Sequence, residues 1–166
     1  MKVLIRHIIE QLKEIQEGKP WIGNTYKSKL DGIDSALVFE RPHPDLHSIA
    51  DIISHMNLWR REAILKIETG KGSKTDACEE NWLPENKLKA IGWTALKSEY
   101  DETLKRIILL LEEKEDSFLE EEYYDTDFKG NYQYKFLING MLHHDIYHLG
   151  QLGTIIKRLK STASNA

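Results

Sequence analysis

The sequence predicts an all-α protein, a four-helix bundle with long crossover connections. Four long segments repeat apolar residues at intervals of three and four, and almost no segment alternates polar and apolar residues as a strand would. Helices with one apolar stripe each bury it most simply against one another. About sixteen residues separate the second and third segments, and a similar number separates the third and fourth. Neighbouring helices in a plain up-down bundle usually need about 2–8, so at least one connection should cross the bundle.

The four helices are predicted from their apolar stripes and from the glycines and prolines beside them. The first stops at Gly18-Lys19-Pro20, the second ends ahead of Gly70, and the third follows Pro84. The predicted spans are residues 2–17, from Asp45–Ser48 to about Thr69, Glu85–Glu115, and Tyr132–Leu159.

The connections carry weaker predictions. The first should contain a short helical piece around Tyr26–Leu37. The stretch Glu120–Asn131 is predicted to be either a packed lid or a short hairpin. We expect one domain over residues 1–166, with a serine-rich tail that frays from about Ser161.

Composition excludes several classes of protein. The chain has 30% charged and 40% hydrophobic residues and a formal net charge of −4, and it has no Lys/Arg stripe for nucleic acid. No segment approaches the roughly 20 apolar residues of a transmembrane helix. Arg6, His7 and Glu10 interrupt the first apolar stretch, which is unlike a secretory signal. Cys78 is the single cysteine, so no intrachain disulfide is possible, and we expect a cytoplasmic protein.

The fourth predicted helix carries two histidines in its apolar stripe. His144 and His148 are four residues apart and therefore lie one turn from each other on the same face. Burying an unpaired polar group costs about 1–3 kcal/mol on mutational scales, so two buried imidazoles need partners. A divalent ion, whose Zn–N bonds are about 2.0–2.1 Å, would satisfy one nitrogen of each ring. The alternative is a metal-free bundle with hydrogen-bonded core histidines.

His55 completes a predicted three-histidine site. It lies between Ile52 and Trp59, on or beside the inner stripe of the second helix. Taken alone it would be a core-edge histidine, but with His144 and His148 it supplies a third ligand. Three protein ligands leave a fourth position for water or substrate, as in reactive metal sites.

Four nearby polar residues have open roles in this prediction. Asp51, one turn before His55, is a candidate fourth ligand or hydrogen-bond acceptor behind a ligand, although a role outside the site is favoured. Asp145 is expected either to orient a ligand imidazole or to face solvent. Gln151 and Tyr147 are candidates to line the approach, although spacing alone favours ordinary packing or surface positions.

The remaining candidates are interpreted as structural. His143 points about 100° away from His144 and should lie on the surface or at an interface. His43 and His47 should cap the start of the second helix. Cys78 lies in a polar segment among acidic residues and has no cation directly beside it in the sequence, so it is a poor nucleophile candidate.

Two motifs give the chain a resemblance to the DinB-like family. They are His47-Ser48-Ile49-Ala50-Asp51-Ile52-Ile53-Ser54-His55 and His143-His144-Asp145-Ile146-Tyr147-His148-Leu149-Gly150-Gln151, and the Trp21-x-Gly23 segment is also similar. The resemblance covers nearly the whole chain. It implies a four-helix bundle, commonly a homodimer, with a zinc- or nickel-type ion on His55, His144 and His148.

The resemblance also implies two kinds of activity. Some family members are thiol S-transferases that use low-molecular-weight thiols such as bacillithiol, mycothiol or glutathione, and others are described as metal-dependent hydrolases. We therefore expect a transferase acting on a small-molecule electrophile, with hydrolysis as one alternative and a non-enzymatic, stress-related bundle with a structural metal as another. Because the ligand histidines must be neutral, metal affinity should fall below about pH 6.

Overall fold

Four long helices form a bundle, which confirms the predicted all-α architecture. The structure is a computed structural model that describes residues 1–163, with side chains through residue 161. Within this range the helices are α1 (Val3–Glu17), α2 (Tyr26–Leu30), α3 (Ile49–Thr69), α4 (Glu85–Ile91), α5 (Trp93–Glu112) and α6 (Tyr134–Ala163). The long helices are α1, α3, α5 and α6, and short 3₁₀ helices cover Leu37–Phe39, Glu79–Trp82 and Asp116–Glu120.

Two connections cross the bundle, in agreement with the prediction of at least one crossover. Helix α1 packs against α5 and α6, and α3 also packs against α5 and α6. Consequently α1 and α3 occupy opposite corners, as do α5 and α6. The chain therefore crosses the bundle diagonally between α1 and α3 and again between α5 and α6.

Local signals define both ends of α3. The Ser48 hydroxyl accepts a hydrogen bond from the Asp51 backbone N–H, and the Asp51 carboxylate accepts one from the Ser48 N–H. This reciprocal pair is a capping box. At the other end Gly70 adopts φ 74°, the left-handed conformation that terminates many helices. The capping box therefore sets the residue at which α3 begins.

The prediction of one helix over Glu85–Glu115 is wrong, because this range contains two helices. Helix α4 ends at Ile91 and α5 begins at Trp93. Between them Gly92 has φ 84° and ψ 150°, a conformation that only glycine adopts readily. The glycine thus breaks a continuous apolar pattern and turns the chain.

The connection between α5 and α6 contains a β-hairpin, which confirms one of the two predictions for that stretch. Strands β1 (Glu122–Asp125) and β2 (Gly130–Gln133) pair antiparallel. The segment after α3 lies beside β1, since Tyr124 N–H donates to Gly70 O and Gly72 N–H donates to Tyr124 O. The hairpin is thereby fixed against the end of α3.

Two clusters of buried apolar side chains form the core. One contains Leu12, Ile107 and Ile138, and the other contains Ile53 and Leu152. On α6 the first cluster ends at Leu142 and the second begins at Leu149, so His144 and His148 lie at the junction.

Helix α6 is the last element of the described structure. The helix continues through Ser161 to Ala163, and the rest of the predicted frayed tail, 164–166, lies outside the described residues. None of the described helices has the length and apolar content that crossing a membrane requires.

Candidate metal centre

The structure brings the three predicted histidines together. His55 on α3 and His144 on α6 place their Nε2 atoms 3.0 Å apart. The Nε2 atoms of His144 and His148 are also 3.0 Å apart. One ligand atom from each of the three rings lies within 4.8 Å of the others. Tetrahedral Zn–N bonds of about 2.0–2.1 Å separate two nitrogens by about 3.3 Å, so the spacing is compatible with one shared ion.

The hydrogen bonds of the rings leave the three Nε2 atoms facing one another. His55 Nδ1 lies 3.3 Å from the Asn81 carbonyl, and His148 Nδ1 lies 2.7 Å from Gln151 Oε1. Both partners are oxygens that accept, so both Nδ1 atoms carry the hydrogen and both Nε2 atoms present a lone pair. A hydrogen on His144 Nε2 satisfies one of these lone pairs and leaves the other facing a nitrogen. A bound cation satisfies all three, so the donor set fits a divalent metal.

Burial keeps these rings neutral. It lowers the pKa of His144 to about 3, with further lowering from the neighbouring His148 and His55. Burial also lowers the pKa of His148 to about 4, and it lowers the pKa of His55. Neutral imidazoles are the form that binds metal. The three rings are therefore in the metal-binding form near neutral pH.

A cavity of about 520 Å³ opens onto the three histidines. Apolar side chains cover much of its wall, namely Trp59, Trp82, Phe128, Phe136, Leu137 and Met141. Within the described residues, no other His, Cys, Asp or Glu side chain joins the three-histidine cluster. The fourth coordination position would therefore be available from the cavity.

Residues 24–152 match the family model described as the DinB superfamily. The chain belongs to the DinB superfamily. The match runs from the residues ahead of α2 into α6 and includes all three histidines. A comparison with curated proteins finds no match. DinB membership and the three-histidine cluster together fit a divalent-metal-binding protein.

Two contacts of His55 in this DinB protein were not predicted. The Asn81 carbonyl bonds to its Nδ1, and the Trp82 ring stacks on its face with centroids 4.2 Å apart. Both residues lie in the 3₁₀ helix between α3 and α4. No helical spacing relates that connection to His55, so the sequence pattern held no signal for these contacts.

Asp51 lies outside the histidine cluster, as the favoured interpretation had it, whereas both alternatives predicted for Asp145 are wrong. Asp51 caps α3 and accepts a 3.0 Å hydrogen bond from Arg41 Nε, so its carboxylate is neither a ligand nor an acceptor behind one. Asp145 is buried and accepts a 2.7 Å hydrogen bond from Arg60 Nη2. It therefore neither orients a ligand imidazole nor faces solvent.

The other histidines divide between confirmed and corrected predictions. His143 is exposed, as predicted. His43 does not cap α3, because its Nδ1 accepts a hydrogen bond from the Asp45 N–H within the turn before the helix. His47 does not cap the helix, because Ser48 does, and its ring stacks on Trp82 with centroids 3.7 Å apart.

Gln151 and Tyr147 line the cavity, the role that spacing alone did not favour. Gln151 Nε2 donates to the Tyr147 hydroxyl at 2.9 Å while its Oε1 accepts from His148. Gln151 therefore connects the cavity wall to His148 of the three-histidine cluster.

Proposed function

We propose that this chain is a metal-dependent enzyme of the thiol S-transferase type that acts on small electrophiles. The observation that carries the proposal is the open side of the three-histidine cluster, which faces a cavity large enough for a small molecule. A metal that only stabilised the fold would favour a closed site with four protein ligands. The structure supplies three, on two different helices.

The metal would be held by His55, His144 and His148. Three imidazoles suit zinc or nickel, and the ion bound there would keep a thiol as its thiolate at neutral pH. The Asn81 carbonyl and Gln151 keep the hydrogens of two rings on Nδ1, so that both Nε2 atoms can bind the ion. The neutral rings leave the charge of the ion available to the thiol sulfur.

The cavity walls suit the second substrate. Aromatic and aliphatic side chains above the histidines would surround the apolar part of an electrophile and exclude water from the reacting atoms. In the transfer the sulfur forms a bond to the electrophilic carbon. The leaving group departs with its bonding electron pair, and the thiol proton passes to solvent. Holding both reactants in one cavity supplies the proximity that the reaction needs.

The test is a product assay with a chromogenic aryl halide and a panel of low-molecular-weight thiols, using zinc- and nickel-loaded protein. We expect thioether formation above the uncatalysed rate with at least one thiol, lost in His55→Ala. Ester hydrolysis that needs the metal but no thiol would instead identify the hydrolase alternative. No activity of either kind, combined with a large metal-dependent rise in thermal stability, would support the structural-metal alternative and contradict the proposal.

We also propose that the chain forms a homodimer. Trp21 is fully exposed, and its neighbour Ile22 lines a surface groove with Ile146, which is 42% exposed. A second copy would cover these apolar side chains. Sedimentation of wild type and Trp21→Ser tests this: a wild-type dimer weakened by the substitution supports it, and a wild-type monomer contradicts it.

A further inference from the structure

The connection between α3 and α4 contacts His55 on two sides. The Asn81 carbonyl oxygen accepts from Nδ1 at the edge of the ring, and the Trp82 ring covers one face at an interplanar angle of 7°. These residues belong to the 3₁₀ helix Glu79–Trp82 and to none of the four long helices. His148, by comparison, is bonded by Gln151 of its own helix.

Asn81 is itself held in place by three side-chain hydrogen bonds. Its Nδ2 donates to the backbone oxygen and to Oδ1 of Asp76, both at 2.8 Å. Its Oδ1 accepts from Trp59 Nε1 at 2.9 Å. The Asp76 N–H in turn donates to Asp127 Oδ1 at 2.7 Å. Helix α3 and the turn of the hairpin therefore both fix the position of the Asn81 backbone.

Trp82 lies between two imidazoles. One face of its ring stacks on His55, and it also stacks on His47 with an interplanar angle of 9°. The indole ring cannot tilt toward either histidine without displacing it. A rotation of the His55 ring would break both the stack and the hydrogen bond to Asn81.

We propose that Asn81 and Trp82 are positioning residues for the metal site. The Asn81 carbonyl selects the tautomer of His55 that carries its hydrogen on Nδ1, and Trp82 holds the plane of that ring, so that the Nε2 lone pair points to His144 and His148. The proposal rests on the three-histidine site of the proposed function. It adds that a connection outside the bundle completes a site whose ligands all lie on bundle helices.

The first test measures zinc affinity by competition with a chromophoric chelator. Partners that orient a metal-binding histidine typically change affinity by about 10–100-fold, so we expect Trp82→Ala to weaken zinc binding by at least about tenfold. Trp82→Phe keeps an aromatic face and should stay within about threefold of wild type. Trp93→Ala is the matched control, since Trp93 packs against the apolar core and does not line the cavity. Equal affinities of Trp82→Ala and Trp93→Ala would overturn the role of Trp82.

A second measurement needs no metal and therefore separates this proposal from the proposed function. Long-range ¹H–¹⁵N NMR of the metal-free protein at pH 7.5 reports which nitrogen of His55 carries the hydrogen. We expect Nδ1 in wild type and in Trp82→Phe, and a mixture of tautomers in Trp82→Leu, a variant that keeps an apolar side chain at this position. Circular dichroism verifies that each variant is folded. A wild-type His55 with its hydrogen on Nε2 would overturn the role of Asn81.

Discussion

The Nε2 atoms of His55 and His144 lie 3.0 Å apart although 89 positions separate the two residues in the chain. The contact depends on the packing of α3 against α6, which are neighbours in the bundle. The lone pairs of two neutral ring nitrogens in direct contact are satisfied only when a hydrogen or a cation lies between them. With His148 adding a third nitrogen at the same distance from His144, a cation is the partner that satisfies all three.

The response to pH should follow the lowered pKa values of the histidines. An unfolded histidine has a pKa of about 6.5, whereas burial lowers the pKa of His144 to about 3 and that of His148 to about 4. Between these values the unfolded chain binds more protons, so the metal-free protein should lose stability as pH falls from about 6.5 toward about 4. The measurement is the urea midpoint at pH 7.5, 6.5, 5.5 and 4.5.

The lowered pKa values of the histidines also change the pH at which we expect metal loss to begin. Because the rings of the folded protein stay neutral below pH 6, occupancy should persist to lower pH than the value of about 6 expected from ordinary histidines. Equilibrium dialysis with zinc over the same pH series measures this. Half of the metal lost by pH 6, with the protein still folded, would contradict the effect of burial.

Gln151 should contribute to metal affinity through His148. Gln151→Leu removes the oxygen that accepts from His148 Nδ1, so the ring can change tautomer and lose its orientation. We expect zinc affinity to fall by about tenfold, the lower end of the range for such partners. Gln151→Glu keeps an acceptor and should retain affinity, and Gln11→Leu on α1 is the control. An affinity of Gln151→Leu equal to that of Gln11→Leu would show that Gln151 is not needed.

Asp145 should be important for stability and not for metal binding. Its carboxylate pairs with Arg60, and both side chains are buried. Asp145→Asn leaves the Arg60 guanidinium without a countercharge, which typically costs about 3–5 kcal/mol of unfolding free energy. The control Asp101→Asn removes one partner of an exposed i,i+4 pair and should change little.

Chemical denaturation of both aspartate variants decides the role of the Arg60–Asp145 pair. The double variant Arg60→Met/Asp145→Leu should be less destabilised than the sum of its single changes, since it leaves no unpaired buried charge. If Asp145→Asn unfolds at the same urea concentration as Asp101→Asn, the pair does not stabilise the fold.

Any side chain at position 92 should destabilise the folded protein. A Cβ there would meet no atom within 4 Å, but its φ of 84° is unfavourable for an L-residue. Gly92→Ala should therefore destabilise the protein by about 1–3 kcal/mol through backbone strain alone. Gly140→Ala, in open space within α6, should instead stabilise by about 0.5–1 kcal/mol. Thermal unfolding of the two variants gives the comparison, and equal shifts would contradict it.

The sequence predicted what depends on helical spacing. The stripe of α6 placed His144 and His148 on one face, and the stripe of α3 placed His55 toward the core, so the sequence identified the three histidines that the structure brings together. The break at Gly92 was missed because the apolar pattern continues across it. The conformation of one glycine, which the pattern does not encode, separates α4 from α5.

The residues around the site could not be predicted in the same way. Asn81 and Trp82 reach His55 from a connection whose path depends on tertiary contacts with Asp76 and the hairpin. Asp145 follows His144 directly, but its direction is set by Arg60, a partner on another helix. Such long-range polar pairs have no periodic signal in a single sequence.

Metal content of protein purified without an affinity tag, measured by mass spectrometry, tests the central claim most directly. The comparison is wild type against His144→Ala/His148→Ala, with both proteins verified as folded. We expect about one divalent ion per chain in wild type and none in the double variant. Wild-type protein that holds no metal, even after incubation with zinc and nickel, would contradict the metal site and the enzyme function proposed from it.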